Sequence, residues 1–143
     1  MGLGRTITAH QSLIQPIADK YPHVTIVAPA VTNGPPPNGI QFMKDFLGGC
    51  SGCRIDAVAT HWYGAADIEN FKNHITSVHN ESGGKAVWVT EFASWEGDEQ
   101  FLKDAMAWMD SVDFVHRYAY FSVEASMTAG MSLNNLGNTF ANA

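Results

Sequence analysis

Glu91 is the side chain in this sequence best suited to chemistry, because it closes a short apolar run with the pattern of a buried strand. Residues 86–92 read AVWVTEF, and strict alternation would place Val87, Val89 and Glu91 on one face. A carboxylate on an apolar face is costly unless it is paired or employed. The pattern indicates a nucleophile, a general base or an acceptor of sugar hydroxyls. The alternative is a strand-end Glu that reaches solvent or pairs with Arg117.

A second carboxylate would be needed for paired acid–base chemistry. Residues 114–121 (FVHRYAYF) form another strand-like run, and alternation puts Tyr118 and Tyr120 on the same side as Glu124, just past its end. Glu124 is therefore the best partner for Glu91 that the sequence offers. Glu96 and Asp98 are weaker candidates.

The adjacent aromatic residues His61, Trp62 and Tyr63 close a further run, residues 55–63 (IDAVATHWY). Neighbouring strand residues point to opposite faces, so His61 and Tyr63 share one side. Rings with polar tips fit a carbohydrate, whose C–H face stacks on them while its hydroxyls take hydrogen bonds. The alternative is a packed aromatic cluster in which the hydrogen bonds of the histidine are made within the protein core.

Cys50 and Cys53 form a C-x2-C pair. A local disulfide is expected, which favours an oxidising compartment, and two reduced buried thiols are the alternative. Zinc usually takes four ligands, the sequence has no second cysteine pair, and its six histidines lack metal spacing. We expect no metal and no cofactor, since Gly-rich phosphate loops, G-x-S-x-G and H-E-x-x-H are also absent from the sequence.

The elements that would position these residues alternate along the chain. Apolar periodicity predicts helices over residues 8–21, 39–47, 68–82 and 98–110, and strands over residues 24–30, 55–63, 86–92 and 114–121. Residues 126–143 are predicted as loop with weak helix. The connections are long enough for crossovers, so the strands predict a parallel sheet, with functional residues at its carboxyl end.

Composition limits the classes of function. The chain has 143 residues, 45% hydrophobic and 15% charged, with a net charge of −6, which excludes a disordered chain and argues against nucleic acid. Basic residues are scattered and no apolar run approaches ~18 residues, so we expect no membrane association. One domain over residues 1–143 is expected, but this is too short for a complete (β/α)8 barrel of ~250 residues.

Five segments taken together resemble the fungal Asl1-like glycosyl hydrolase catalytic core, glycoside hydrolase family 128. They are residues 28–34 (APAVTNG), 46–53 with the cysteine pair, 56–64 (DAVATHWYG), 87–93 (VWVTEFA) and 117–121 (RYAYF). The resemblance implies a retaining (β/α)8 hydrolase acting on β-1,3-glucan, with Glu91 as nucleophile. It implies a sugar cleft lined by Asn33, His61, Trp62 and Tyr63. Tyr118, Tyr120 and Trp95 are further candidates for sugar contact.

The resemblance covers only the C-terminal half of the family. Retaining hydrolysis needs two carboxyl groups ~5–5.5 Å apart, and the family's acid/base Asn-Glu segment has no counterpart at a strand end here. We therefore expect half of a TIM-type barrel that binds carbohydrate with residual or no hydrolysis. The alternatives are an active retaining endo-β-1,3-glucanase with a carboxylate from a second chain, and a fragment without an independent role.

The open edges of a half barrel predict self-association. Two copies could pair edge to edge and close an eight-stranded barrel, so a homodimer is expected. The expected disulfide favours an extracellular or cell-wall location.

Overall fold

The computed structural model describes residues 2–142 as helices that alternate with the strands of a small parallel sheet. The first half of the chain contains α1 (Leu3–Ala9), a π-helical turn (His10–Ile14), α2 (Gln15–Lys20) and α3 (Gly39–Gly49). The central part contains β1 (Ala57–Gly64), α4 (Ile68–Glu81), β2 (Ala86–Ser94), α5 (Glu99–Ser111) and β3 (Val115–Tyr120). The last part contains a second π-helical turn (Val123–Met127), the hairpin strands β4 (Thr128–Ala129) and β5 (Ser132–Leu133), and α6 (Asn135–Ala141).

The main sheet has the order β1-β2-β3, and both strand pairs are parallel. The helices α4 and α5 make the crossovers, and each begins at an aspartate whose side chain caps it. Asp67 accepts a hydrogen bond from the Asn70 N–H, and Asp98 accepts one from the Phe101 N–H. The predicted parallel β/α organisation is therefore confirmed.

The prediction of a full strand over residues 24–30 was wrong. This segment lies beside β1 and pairs with it through one isolated parallel bridge at Val27, and a second bridge follows directly after it at Val31. Val27 pairs with Ala57 whereas Val31 pairs with Thr60, so one extra residue lies between the bridges and interrupts the ladder.

The two ends of the chain are more helical than predicted. The first helix begins at Leu3 instead of residue 8, and Pro16 lies in the first turn of α2, directly after the π-helical turn. Residues 3–20 are helical without a break, and the wider π-helical turn directly before Pro16 accommodates the N–H that this residue lacks. The tail forms α6, where the Asn134 side chain accepts a hydrogen bond from the Gly137 N–H.

The helices α4 and α5 cover one face of the sheet and form the core with it. Phe71 and Ile75 of α4 and Leu102 of α5 are fully buried against this face. Two strand residues, Trp62 and Phe92, belong to the same layer, since the Trp62 and Phe92 rings both contact the Phe71 ring. The opposite face of the sheet is the one left for a ligand.

A β-bulge in β2 corrects the expected facing of Glu91. Thr60 pairs with Val89 but His61 pairs with Glu91, so Thr90 is an extra residue in β2. The bulge leaves Val89 and Phe92 both fully buried, and the Glu91 side chain instead meets His61. The prediction that Glu91 shares a face with Val87 and Val89 was therefore wrong, because strict alternation stops at the bulge.

Candidate functional site

Three side chains meet at the carboxyl ends of β1 and β2. The Tyr63 hydroxyl donates a hydrogen bond to Glu91 Oε2 at 2.5 Å, and His61 Nδ1 lies 3.4 Å from the same oxygen. The side chains of His61 and Glu91 are 27% and 35% exposed, so the group is partly shielded but open to a ligand. We call His61, Tyr63 and Glu91 the carboxylate cluster.

The Tyr63 hydroxyl is held in its protonated form. Burial raises the pKa of Tyr63 well above its ordinary value, and the hydrogen bond to Glu91 and the charge of that carboxylate raise it further. Tyr63 is therefore a permanent hydrogen-bond donor to Glu91 at physiological pH. This contact orients the carboxylate and leaves its second oxygen for another donor.

Asn33 fixes the position of Tyr63 from the neighbouring loop. Its Nδ2 donates to the Tyr63 carbonyl at 2.9 Å, and its Oδ1 accepts from the Tyr63 N–H at 3.3 Å. The Asn33 side-chain amide thus bonds to the Tyr63 backbone in the way that the backbone of a neighbouring strand would. On the other side, the Phe121 ring meets the Tyr63 ring edge to face, with centroids 5.5 Å apart. Asn33 was expected to line the sugar cleft, and these two bonds direct its amide toward the backbone of Tyr63.

Trp62 and Tyr118 lie in the helix-facing layer, apart from the carboxylate cluster. Trp62 is 1% exposed, and its ring stacks on Phe101 at 5.3 Å. The Tyr118 ring meets Phe92 edge to face, and its hydroxyl donates to Asp110 at 3.2 Å. Burial, followed by this contact with Asp110, raises the pKa of Tyr118.

Trp95 and Tyr120 line an open cleft of about 560 Å³ beyond the ends of β2 and β3. Trp95 is 75% exposed and Tyr120 is 7% exposed, so only the indole presents a broad free ring. Burial raises the pKa of Tyr120. The polar residues around the cleft are Ser94, Glu96, Glu99, Ser126, Asn134 and Asn135. The sequence did not single out Glu99, because it is the first residue of a helix and its approach to this cleft depends on the tail.

Two predicted partners of Glu91 do not contact it. Glu124 is exposed on the second π-helical turn, and within residues 2–142 no hydrogen bond or ion pair joins it to the cluster. The Arg117 guanidinium lies over the Trp88 ring, 5.3 Å from its centroid. The alternative of a Glu91–Arg117 ion pair is not realised in this part of the chain.

Sequence reasoning did not identify His74, which supports β1 from α4. Its Nε2 lies 2.9 Å from Thr60 Oγ1, and burial lowers its pKa to about 4. His74 is therefore neutral near pH 7 and links α4 to the strand that carries His61 and Tyr63. Its place on the helix face was visible only once α4 and β1 were packed together.

The Cys50–Cys53 pair is present as a disulfide. It follows α3 and precedes β1, so it lies toward the opposite end of the strands from Glu91. His10, forty residues earlier, packs beside it: a ring nitrogen of His10 and the two sulfur atoms lie within 4.8 Å of one another. No sequence spacing links His10 to the cysteines. In the described part of the chain, no helix is long and apolar enough to cross a membrane.

Comparison with known proteins relates this chain to glycosyl hydrolases. The family described as "Glycosyl hydrolase catalytic core" matches residues 4–141. Alkali-sensitive linkage protein 1 of Schizosaccharomyces pombe is 31% identical over 118 residues, which are 76% of this chain and 21% of that protein. The chain therefore spans about a fifth of the length of this relative.

Several solved structures that resemble this chain are family 128 proteins. A curdlan-specific exo-β-1,3-glucanase of Blastomyces gilchristii, solved with glucose, superposes with a TM-score of 0.88 at 34% identity, over 100% of this chain and 63% of that one. An endo-β-1,3-glucanase of Lentinula edodes gives 0.84 at 20% identity, over 96% and 62%. An oligosaccharide-binding protein of Cryptococcus neoformans gives 0.74 at 23% identity, over 96% and 59%. The last two likenesses concern the fold alone.

Proposed function

The chain belongs to the Asl1-like glycosyl hydrolase catalytic core family, glycoside hydrolase family 128, and we propose that it is a β-1,3-glucan-binding member with residual or no hydrolytic activity. Two kinds of relative support a glycan ligand. One is a β-1,3-glucanase 34% identical to this chain, and others of the same fold are oligosaccharide-binding proteins.

The carboxylate cluster carries this proposal. It provides one carboxylate, Glu91, with a neutral phenol and an imidazole beside it. Retaining hydrolysis needs a second carboxyl group ~5–5.5 Å away, which protonates the leaving oxygen. In the described residues, the groups within contact of Glu91 Oε2 are His61 and Tyr63. The cluster therefore suits the binding of sugar hydroxyls better than cleavage of a glycosidic bond.

The sugar would lie across the carboxylate cluster and the cleft next to it. Glu91 accepts hydrogen bonds from hydroxyls, His61 offers a second polar contact, and the exposed Trp95 ring provides a surface for the C–H face of a glucose unit. The cleft beside Trp95 is lined by amide, hydroxyl and carboxylate groups. Such groups match a chain of hydroxyl-rich units.

Calorimetry with laminari-oligosaccharides, paired with an assay of reducing-sugar release from laminarin, tests the proposal. We expect wild-type protein to bind without release, and Trp95→Ala to weaken binding by roughly thirtyfold, the loss of an aromatic contact worth about 2 kcal/mol. Cello-oligosaccharides serve as the linkage control. Absence of binding to laminari-oligosaccharides would overturn the proposal.

An active retaining endo-β-1,3-glucanase is the second candidate, with the missing carboxylate supplied by another copy of the chain. The open edge of the sheet favours it: among residues 2–142, β3 pairs with β2 alone. This candidate predicts release of reducing sugar by the wild type, lost in Glu91→Gln and retained in Glu69→Gln. Glu69 is an apt control because it is exposed on α4 and pairs with Lys72.

We also propose that the protein works outside the cell or in the cell wall. The disulfide supports this, because such bonds persist in oxidising compartments. Thiol labelling of the protein taken directly from its source should find no free cysteine, and labelling of both cysteines would count against this location.

A further inference from the structure

The side chain of His10 is an unusual polar group that lies outside the carboxylate cluster. It is 3% exposed, and its Nε2 is buried with no hydrogen-bond partner in the described residues. A buried nitrogen without a partner costs free energy, so native proteins rarely keep one without a use. His10 also begins a π-helical turn, a feature that often occurs at functional sites.

The surroundings of His10 supply metal-ligand chemistry. A ring nitrogen of His10, Cys50 Sγ and Cys53 Sγ all lie within 4.8 Å of one another. The ring is held in place by an edge-to-face contact with Phe46, at 5.5 Å between centroids. Imidazole and thiolate are the ligands that zinc prefers, and the C-x2-C spacing is the one used by zinc sites. With the disulfide closed, the sulfur atoms are not available as thiolates.

We propose that reduction of the Cys50–Cys53 disulfide opens a zinc site formed by His10 and the two cysteines. A dithiol or phosphine supplies two electrons, and with two protons the S–S bond becomes two thiols. A zinc ion then displaces both thiol protons and binds two thiolate sulfurs and the neutral imidazole. These are three of the four tetrahedral positions, and water fills the last.

The burial of the three residues fits this arrangement. His10 and Cys50 are buried, and Cys53 is half-buried, so the site is accessible from the Cys53 side to the reductant, the ion and the fourth ligand. His10 arrives from the first helical stretch, whereas the cysteines follow α3. The ion would thus join the two segments that the disulfide itself does not connect.

Titration of the reduced protein with zinc, in competition with a chromophoric chelator, tests this proposal. We expect one zinc ion per chain after phosphine reduction and none in the oxidised protein. With cobalt(II) as probe, the reduced protein should show thiolate-to-cobalt charge-transfer absorption. His10→Ala should weaken zinc binding by more than about tenfold, since even the loss of outer partners of a ligand has effects of that size.

The matched control is His116→Ala, which removes an exposed histidine on β3. It should bind zinc as the wild type does. Because His10→Ala could unfold the packed first helix, the side-chain nitrogen resonances of wild-type histidines provide a second readout. Zinc should shift one ring nitrogen of His10 in the reduced protein only. No zinc bound by the reduced wild type, or an unshifted His10, would overturn the site.

Discussion

At the residue scale, the Tyr63 phenol donates a hydrogen bond to the Glu91 carboxylate at 2.5 Å, and Glu91 is the proposed contact for sugar hydroxyls. The protonation of this phenol makes the free energy of unfolding depend on pH. Tyr63 has an ordinary pKa of 10.0 and a higher one in the folded protein. Below about pH 10 the phenol is protonated in both the folded and unfolded states, and its contribution to stability is complete.

Raising the pH above 10 should therefore destabilise the protein through Tyr63. The unfolded chain loses the phenol proton first, so the free energy of unfolding falls as the pH rises above 10 toward the higher folded pKa. In Tyr63→Phe this dependence should disappear, while the loss of the hydrogen bond costs about 1–2 kcal/mol near neutral pH. Urea unfolding at about pH 9 and pH 11 measures both effects.

The control for this prediction is Tyr21→Phe, because Tyr21 is exposed at the end of α2. It should keep the alkaline slope of the wild type. The same slope in Tyr63→Phe as in wild type would show that Tyr63 does not carry the dependence.

His74 gives the opposite dependence at acidic pH. Its pKa falls from 6.5 to about 4 on burial, so above pH 6.5 the ring is neutral in both states and its contribution is complete. As the pH falls from 6.5 toward 4, the unfolded chain takes up the proton first. The free energy of unfolding should drop by up to about 3 kcal/mol through this group.

Urea unfolding at about pH 7 and pH 4.5 should show a smaller acid loss in His74→Gln than in wild type. His116→Gln, at an exposed position on β3, should lose as much as wild type. Proton NMR titration of the His74 ring gives an independent check, and an ordinary pKa of 6.5 there would contradict the prediction.

The parallel order of the strands made the carboxylate cluster largely predictable from sequence. The β-bulge and the contacts between distant elements were not predictable. His61, Tyr63 and Glu91 were expected at one sheet edge because parallel strands end together, and the structure brings them together. Trp62 lies on the helix-facing side, as its neighbours' alternation requires. His74 and His10 could not be found from spacing, since their neighbours lie on other elements. Sequence reasoning does not supply such packing between distant segments.

At the element scale, the turn before α3 is tightly constrained around Gly39. Gly39 has a φ of 56°, and a Cβ atom there would lie 2.3 Å from the Gly34 carbonyl oxygen and 2.8 Å from that of Thr32. The loop that includes these residues also carries Asn33, which positions Tyr63. Strain at Gly39 should therefore reach the carboxylate cluster.

Gly39→Ala should lower the free energy of unfolding by at least about 2 kcal/mol, because the backbone conformation and the close carbonyls both oppose a side chain. Gly48→Ala is the matched control in the same helix, where a Cβ meets no atom within 4 Å. It should stabilise the protein by about 0.5–1 kcal/mol. Thermal unfolding of both variants measures the contrast, and equal effects would contradict it.

Helix boundaries show why elements were easier to predict than their irregularities. The helix predicted over residues 68–82 is present as α4, and Asp67 caps it because its short side chain accepts a hydrogen bond from the Asn70 N–H. The first helix was predicted too short, because Gly2 and Gly4 weaken the helical pattern around Leu3 and Ile7, which pack against the core. The strand predicted over residues 24–30 was reduced to isolated pairing, because the register against β1 shifts by one residue between Val27 and Val31.

At the scale of the whole molecule, two surfaces favour association with a second copy. The β3 edge is unpaired among residues 2–142. Apolar side chains of the first helical stretch are also exposed, with Leu13 at 66% and Ile17 at 46%. Exposed apolar patches and open sheet edges are typical of interaction surfaces.

Sedimentation velocity at micromolar concentration should therefore find a dimer of wild-type protein. Ile17→Lys should shift it toward the monomer, because a charge would be buried in the interface. Met131→Lys, at the exposed hairpin turn, should remain dimeric. A well-folded wild-type monomer at these concentrations would exclude both the dimer and a shared active site built on it.

The bulge in β2 has a consequence for how this strand tolerates changes of length. A single deletion in a regular strand turns every later side chain to the opposite face. Here Thr90 is the extra residue between Val89 and Glu91, so its removal would leave Glu91 and Phe92 facing as they do now. Deletion of Thr90 would therefore leave unchanged which side chains of β2 face the helices and which face the opposite side. A single insertion or deletion between residues 86 and 89 would instead turn Glu91 toward the helices and Phe92 toward the opposite face.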